Sequence, residues 1–258
     1  MSRHLRLVAC AGLLALTAAC SSSTSQPPSS NEPVAVKKGG EIVIGAEQEP
    51  DCADWIGTCA GSIWGSYIMQ EETVPRAFNV RKVGDHWVPA ASDLLTGDPT
   101  TKMVGGKQQI TYQINPKAVW SDGQPITSED FKYTALQVRD GKDVFDKSGY
   151  DKIVSVDTTD PKTAVVTLDG PYASWKQLFA TGYGVLPSHL LQGKDRDQEM
   201  KDGYSWSGGP WIIQSWDRGT SLDAAVPIDC VTALSSPGPV RPPYRPPKFS
   251  RRLRTAAC

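Results

Sequence analysis

The chain has 258 residues, with 27 Lys and Arg against 28 Asp and Glu and a net charge near −1. Six arginines and lysines lie in the last 35 residues with one acid, Asp229, and two arginines, Arg3 and Arg6, lie at the start. The stretch between keeps 19 basic and 27 acidic residues, a charge near −8 that excludes a phosphate-neutralising face, so nucleic acid is not an expected partner.

Arg3 and Arg6 precede an apolar run that ends on Ala18-Ala19-Cys20. A charged start, a short apolar core and small residues at the exit predict an export signal over residues 1–19. The run is shorter than the ~20 residues of a membrane-spanning helix. Cys20 is followed by SSSTSQPPSSNEP and resembles the lipidated first residue of a mature lipoprotein, with residues 20–38 as a flexible tether. The expected location is extracytoplasmic, on the membrane by a lipid anchor. Cys52 and Cys59, seven apart, are read as a local disulfide in an oxidising envelope. His4, His86 and His189 are scattered, and no CxxC or HxxxH spacing exists, so no metal or other cofactor is expected.

Residues 41–47 (EIVIGAE) lie between glycines and Gln-Glu-Pro, the pattern of a strand entering a turn. A short helix is predicted over 62–70. Gly105-Gly106 signals a turn, and QITYQIN (109–115) places Ile110, Tyr112 and Ile114 on one face of a strand stopped by Pro116. Thr127 or Ser128 caps a helix with Glu129 and Asp130 in its first turn, Phe131, Ala135 and Val138 on its inner face, and Gly141 at its end. Residues 151–157 and 163–168 read as a hairpin with a longer loop at 158–162, 173–179 as a second short helix, and 211–216 as another alternating strand. The mixture lacks a regular βαβ alternation, which predicts an α+β body over 39–223. The Pro- and Arg-rich segment 224–258 offers no face to bury and is expected to be disordered.

Two stretches carry a family likeness. VWSDGQPITSEDF (119–131) is similar to the F-S-D-G-x-P-[IL]-T-A-x-D-[VF] signature of the family 5 extracellular solute-binding proteins of ABC importers. SGGPWIIQSWDRG (207–219) resembles their G-T-G-P-Y-x-[LIV]-x-x-[WY] stretch, and PY (171–172) and VLPSHLL (185–191) fall in order between them. The resemblance covers residues 40–219. It implies one lobe of a periplasmic-binding-protein-like fold, a peptide or related solute as ligand, an ABC permease as partner and no catalysis. It also implies an N-x-x-Y-W stretch and a second lobe, neither of which follows Asp223 here, and the abrupt change of composition reads as a frameshift or truncation that impairs function.

On the same resemblance the loop after the first strand lines the ligand cleft, which maps to Glu47, Gln48, Glu49, Asp51 and Trp55. Carboxylates there would hold a cationic group, and Trp55 would pack on an apolar one. The bland alternative makes the acids a turn and Trp55 a core cover. A secreted hydrolase is the rival class, with Glu47 and Glu49 or Glu71 and Glu72 as its acids, and a glycan-binding module the third. No GxSxG, HExxH or phosphate-cradling loop supports catalysis.

Overall fold

A computed structural model describes residue 41 and residues 43–62, 69–70, 73–180 and 182–225. The expected export signal, Cys20, the tether and nearly all of the Pro/Arg-rich segment lie outside these residues, as do Glu71 and Glu72. Among the described residues no helix is long and apolar enough to cross a membrane.

Alternation of apolar and polar residues builds the central sheet. Strands β3 (Thr100–Val104), β4 (Lys107–Gln113), β5 (Ile153–Asp160) and β6 (Thr163–Leu168) lie in the order β3-β4-β6-β5, all antiparallel. Ile110 and Tyr112 of β4 face Val166 and Ala164 of β6, and all four are fully buried. Gly105 and Gly106 turn β3 into β4 with φ of +57° and +80°, values that glycine adopts without steric cost. Helix α1 (Ser128–Asp140) covers this face with Phe131, Ala135 and Val138, the three residues its spacing predicts. Thr127 is the N-cap, and its N–H donates to Asp130 Oδ2 at 2.8 Å. Gly141 is the C-cap.

Two hairpins flank the sheet. Strands β1 (Phe78–Val83) and β2 (His86–Ala91) pair with Phe78 opposite Ala91, and Val80, Val83 and Trp87 stand exposed. Strands β7 (Ile212–Asp217) and β8 (Ser221–Ala225) form the other, so regular structure runs two residues into the segment expected to lack it. Short helices α2 (Ser188–Leu191) and α3 (Arg196–Met200) lie between β6 and β7.

The motif stretches dock on one another. Asp130, 1% exposed, accepts from Trp120 Nε1, Thr127 N, Ser188 N and Ser188 Oγ at 2.7–3.2 Å. Asp122 pairs with His189 Nε2 at 2.7 Å. Burial alone would raise the Asp122 pKa, but the hydrogen bonds from His189 and from Gln124 N hold it below its ordinary value. Ser121 N donates to the Ser207 carbonyl at 2.7 Å, and Ser207 N returns a bond to Ser121 Oγ at 3.0 Å. A Cβ on Gly208 would lie 2.6 Å from Pro75 Cγ and 3.0 Å from the Trp120 ring, so the approach requires glycine.

Four expectations differ from what forms. Residues 41 and 43–46 take no regular structure, with Val43 66% and Ile44 60% exposed; a strand needs a partner, and none reaches them among the described residues. Of the helix expected over 62–70, Met69 and Gln70 are helical and residues 63–68 lie outside the described ones. The β5–β6 loop is a two-residue turn, Pro161-Lys162, because Lys162 Nζ donates to the Ile126, Asn115 and Ala118 carbonyls and draws the turn onto the motif loop. The helix expected over 173–179 shrinks to a 3-10 turn, Trp175–Gln177. Phe179 has φ +55° there, held by Tyr150 Oη on its N–H and by Ala77 N on its carbonyl.

Candidate functional site

The acidic loop after residue 46 is spent on internal contacts. Glu49 accepts from Trp216 Nε1 and from Gly219 N, each at 2.9 Å. The Asp51 carbonyl accepts from Arg218 at 3.1 Å, and its Oδ2 accepts from Ser62 N at 3.1 Å. Arg218 lies 4.0 Å over the Trp216 ring and reaches Asp202 at 3.0 Å. Glu49 and Asp51 therefore latch the β7–β8 turn, while Glu47 and Gln48 are exposed beside it.

Trp55 sits apart from those four, on the loop closed by the Cys52–Cys59 disulfide, whose Cα atoms are 5.9 Å apart. It is 5% exposed, donates from Nε1 to the Tyr183 carbonyl at 3.1 Å, and packs edge-on against Tyr204 at 5.5 Å. The loop is fastened beneath by a buried ion pair, Arg196 to Asp54 at 2.9 Å, and by Thr58 donating to Asp143. Burial pushes the Asp54 pKa up even though Arg196 pulls it down. Asp54, Asp143 and Asp197 converge within 4.8 Å, but Arg196 and Thr58 already serve two of them.

Above this loop opens a cleft of about 520 Å³. Trp55, Phe78, Tyr150 and Tyr183 give it aromatic walls, and Gln70, Asp146 and Lys176 give it polar groups. Tyr183 Oη donates to the Asp146 carbonyl at 2.5 Å and accepts from Asp146 N at 2.8 Å, and burial pushes its pKa up to about 12. The Asp146 carboxyl is held below its ordinary range by Ser148. Phe145, 63% exposed at the rim, is placed by its N–H bond to the Ile56 carbonyl, so the disulfide loop positions both floor and rim.

Chemically the cleft suits holding a small molecule. Its lining has one carboxylate and no histidine or cysteine, so it lacks the paired carboxylates of glycoside hydrolysis and a nucleophile with its base. An apolar pocket with a few convergent polar groups is the ordinary form of a ligand site. Of the five residues expected to bind ligand, Trp55 alone lines it. Gln70, Lys176 and Tyr183 do so without any sequence signal, because no local pattern distinguishes a lining glutamine or lysine from a surface one.

The family model "Bacterial extracellular solute-binding proteins, family 5 Middle" matches residues 94–224, just over half of the chain. The chain is 33% identical over 155 residues to the oligopeptide-binding protein OppA of Mycobacterium tuberculosis, covering 58% of this chain and 26% of that protein. Its fold is similar to the periplasmic EDTA-binding protein EppA, with a TM-score of 0.63 and 23% identity over 74% of this chain and 36% of that one. It is also similar to the oligopeptide-binding protein AppA of Bacillus subtilis, solved with a nonapeptide, with a TM-score of 0.61 and 18% identity over 74% and 37%. The chain thus spans about a quarter of the length of the curated relative and about a third of the structural ones.

Proposed function

Since the chain belongs to the family 5 bacterial extracellular solute-binding proteins, we propose that it supplies one wall of the binding cleft of an ABC importer's substrate-binding component, taking a peptide or related small solute. The observation that carries this reading is the aromatic cleft beside the disulfide loop, formed within a fold that the matched family shares. The reading includes export, anchoring through lipid on Cys20, delivery to a membrane permease, and capture without catalysis. The acids of the hydrolase reading give it no support: Glu49 is committed to Trp216 and Gly219.

Binding proteins of this kind close two lobes over a ligand, each adding part of the buried contact. The described residues contribute one such surface, so full-chain affinity is expected to be weaker than micromolar; each 1.4 kcal/mol of missing contact weakens binding about tenfold. Calorimetric titration with mixed tripeptides, alongside chromogenic esters and glycans, tests the reading. Weak uptake of peptide without turnover supports it; ester cleavage or glycan binding alone overturns it. Cys20→Ser is expected to move the protein from the membrane fraction to the medium, and persistence in the membrane would place the anchor elsewhere.

A further inference from the structure

The fold leaves two polar groups of the cleft unused. Gln70 is 4% exposed, and its Oε1 has no hydrogen-bond partner. Buried acceptors are almost always paired, so one that lines an open cleft is poised for a donor from outside the chain. Ser62 Oγ and Tyr112 Oη, the other buried oxygens in this condition among the described residues, line no such cleft. Lys176 is half-buried, with Nζ 5.7 Å from the Phe78 ring centroid and 5.6 Å from that of Trp175, and makes no ion pair among the described residues. Aromatic faces hold the ammonium in place but leave its N–H donors free.

Together the two groups ask for a ligand with an N–H donor and an anion. Phosphate or sulfate would satisfy Lys176 and leave the Gln70 acceptor facing another acceptor. A neutral sugar would satisfy Gln70 and leave the lysine charge unmatched. An α-amido carboxylate satisfies both, and the walls of Trp55, Phe78 and Tyr183 beside them are apolar. Asp146 on the same lining disfavours a second carboxylate nearby. We infer that the cleft holds the carboxy-terminal residue of a short peptide: Lys176 takes the carboxylate, Gln70 Oε1 takes the main-chain N–H, and the aromatic walls take an apolar side chain. The assignment rests on the reading of the chain as a solute-binding lobe, and it makes Lys176 and Gln70 determinants of specificity.

The test is calorimetry of the full chain with alanyl-alanyl-phenylalanine as the free acid and as the carboxy-terminal amide, at concentrations into the millimolar range. The acid is expected to bind about tenfold more tightly than the amide, the loss of one charge-assisted hydrogen bond. Lys176→Gln is expected to abolish that difference. Gln70→Leu is expected to weaken both ligands severalfold without lowering the melting temperature, since it removes an unpaired buried acceptor. A purely structural role for Gln70 would instead lower the melting temperature and spare affinity. Equal affinity for acid and amide, or unchanged binding by either variant, overturns the assignment while leaving the solute-binding reading standing. Absence of saturable binding by both forms overturns the two together.

Discussion

At the residue scale, Asp130 shows how a motif letter becomes a structural joint. Four donors from three places in the chain converge on one buried carboxylate. Asp130→Ala leaves those donors buried and unpaired, and hydrogen bonds to charged groups contribute about 1.5–3 kcal/mol each. A loss of at least about 3 kcal/mol in urea unfolding is expected, and a variant as stable as the parent would refute the joint. Tyr112 gives the opposite case: its ring packs on Phe78, Phe131 and Phe179, but its fully buried hydroxyl has no partner. Tyr112→Phe keeps the packing and is expected to be neutral or to stabilise by about 1 kcal/mol. Burial pushes Tyr133 and Tyr183 up to about 12. A raised folded value favours the neutral phenol, so its stabilisation is intact below the ordinary tyrosine value near 10 and is lost as pH rises toward 12. Melting temperatures should fall across that window together with the rise of tyrosinate absorbance; a flat profile would contradict it.

At the scale of elements, the β7–β8 hairpin depends on anchors outside itself, since an isolated two-stranded hairpin is marginal in water. Glu49 holds Trp216 and Gly219, and Arg218 holds the Asp51 carbonyl and Asp202. Glu49→Ala is expected to raise hydrogen exchange at the amides of Ile212–Ala225 while α1 keeps its protection. Gly208 joins the same region to the motif loop. With a Cβ 2.6 Å from the Pro75 ring, Gly208→Ala is expected to cost about 1–3 kcal/mol, because a proline ring has no rotamer in which to retreat. Unchanged stability would mean that Pro75 can shift.

At the scale of the whole molecule, the Cys52–Cys59 loop links core to cleft: Trp55 enters the aromatic cluster with Tyr204 and Trp206, and Ile56 places Phe145 at the rim. Closing so short a loop restricts the unfolded chain by about 2–3 kcal/mol. Reduction, or Cys52→Ser with Cys59→Ser, should lower stability by that amount and loosen the cleft, read as altered tryptophan fluorescence. Equal stability with and without reductant would show that the bridge restrains nothing.

Helix α1, the inner face of β4 and the Gly105-Gly106 turn were legible because their causes are local: a cap, a period of 3.6 or 2, a backbone that needs positive φ. The family likeness was legible for a related reason. Its letters are the joints of the lobe, and Asp122, Asp130, Ser207 and Gly208 are fixed by close contacts that few other residues can make. The role of each acid in the 47–51 loop was not legible. Whether Glu49 faces a ligand or a tryptophan depends on a partner 167 residues away, and nothing near Glu49 in the chain encodes it. The same holds for the 3-10 turn at Trp175–Gln177, where Tyr150 and Ala77 override a helical preference, and for the cleft, whose lining is gathered from segments that meet only when the core closes. Local hydrogen-bonding and periodicity wrote the elements into the sequence; which polar groups the closed core would consume, and which it would leave for a ligand, was decided by packing.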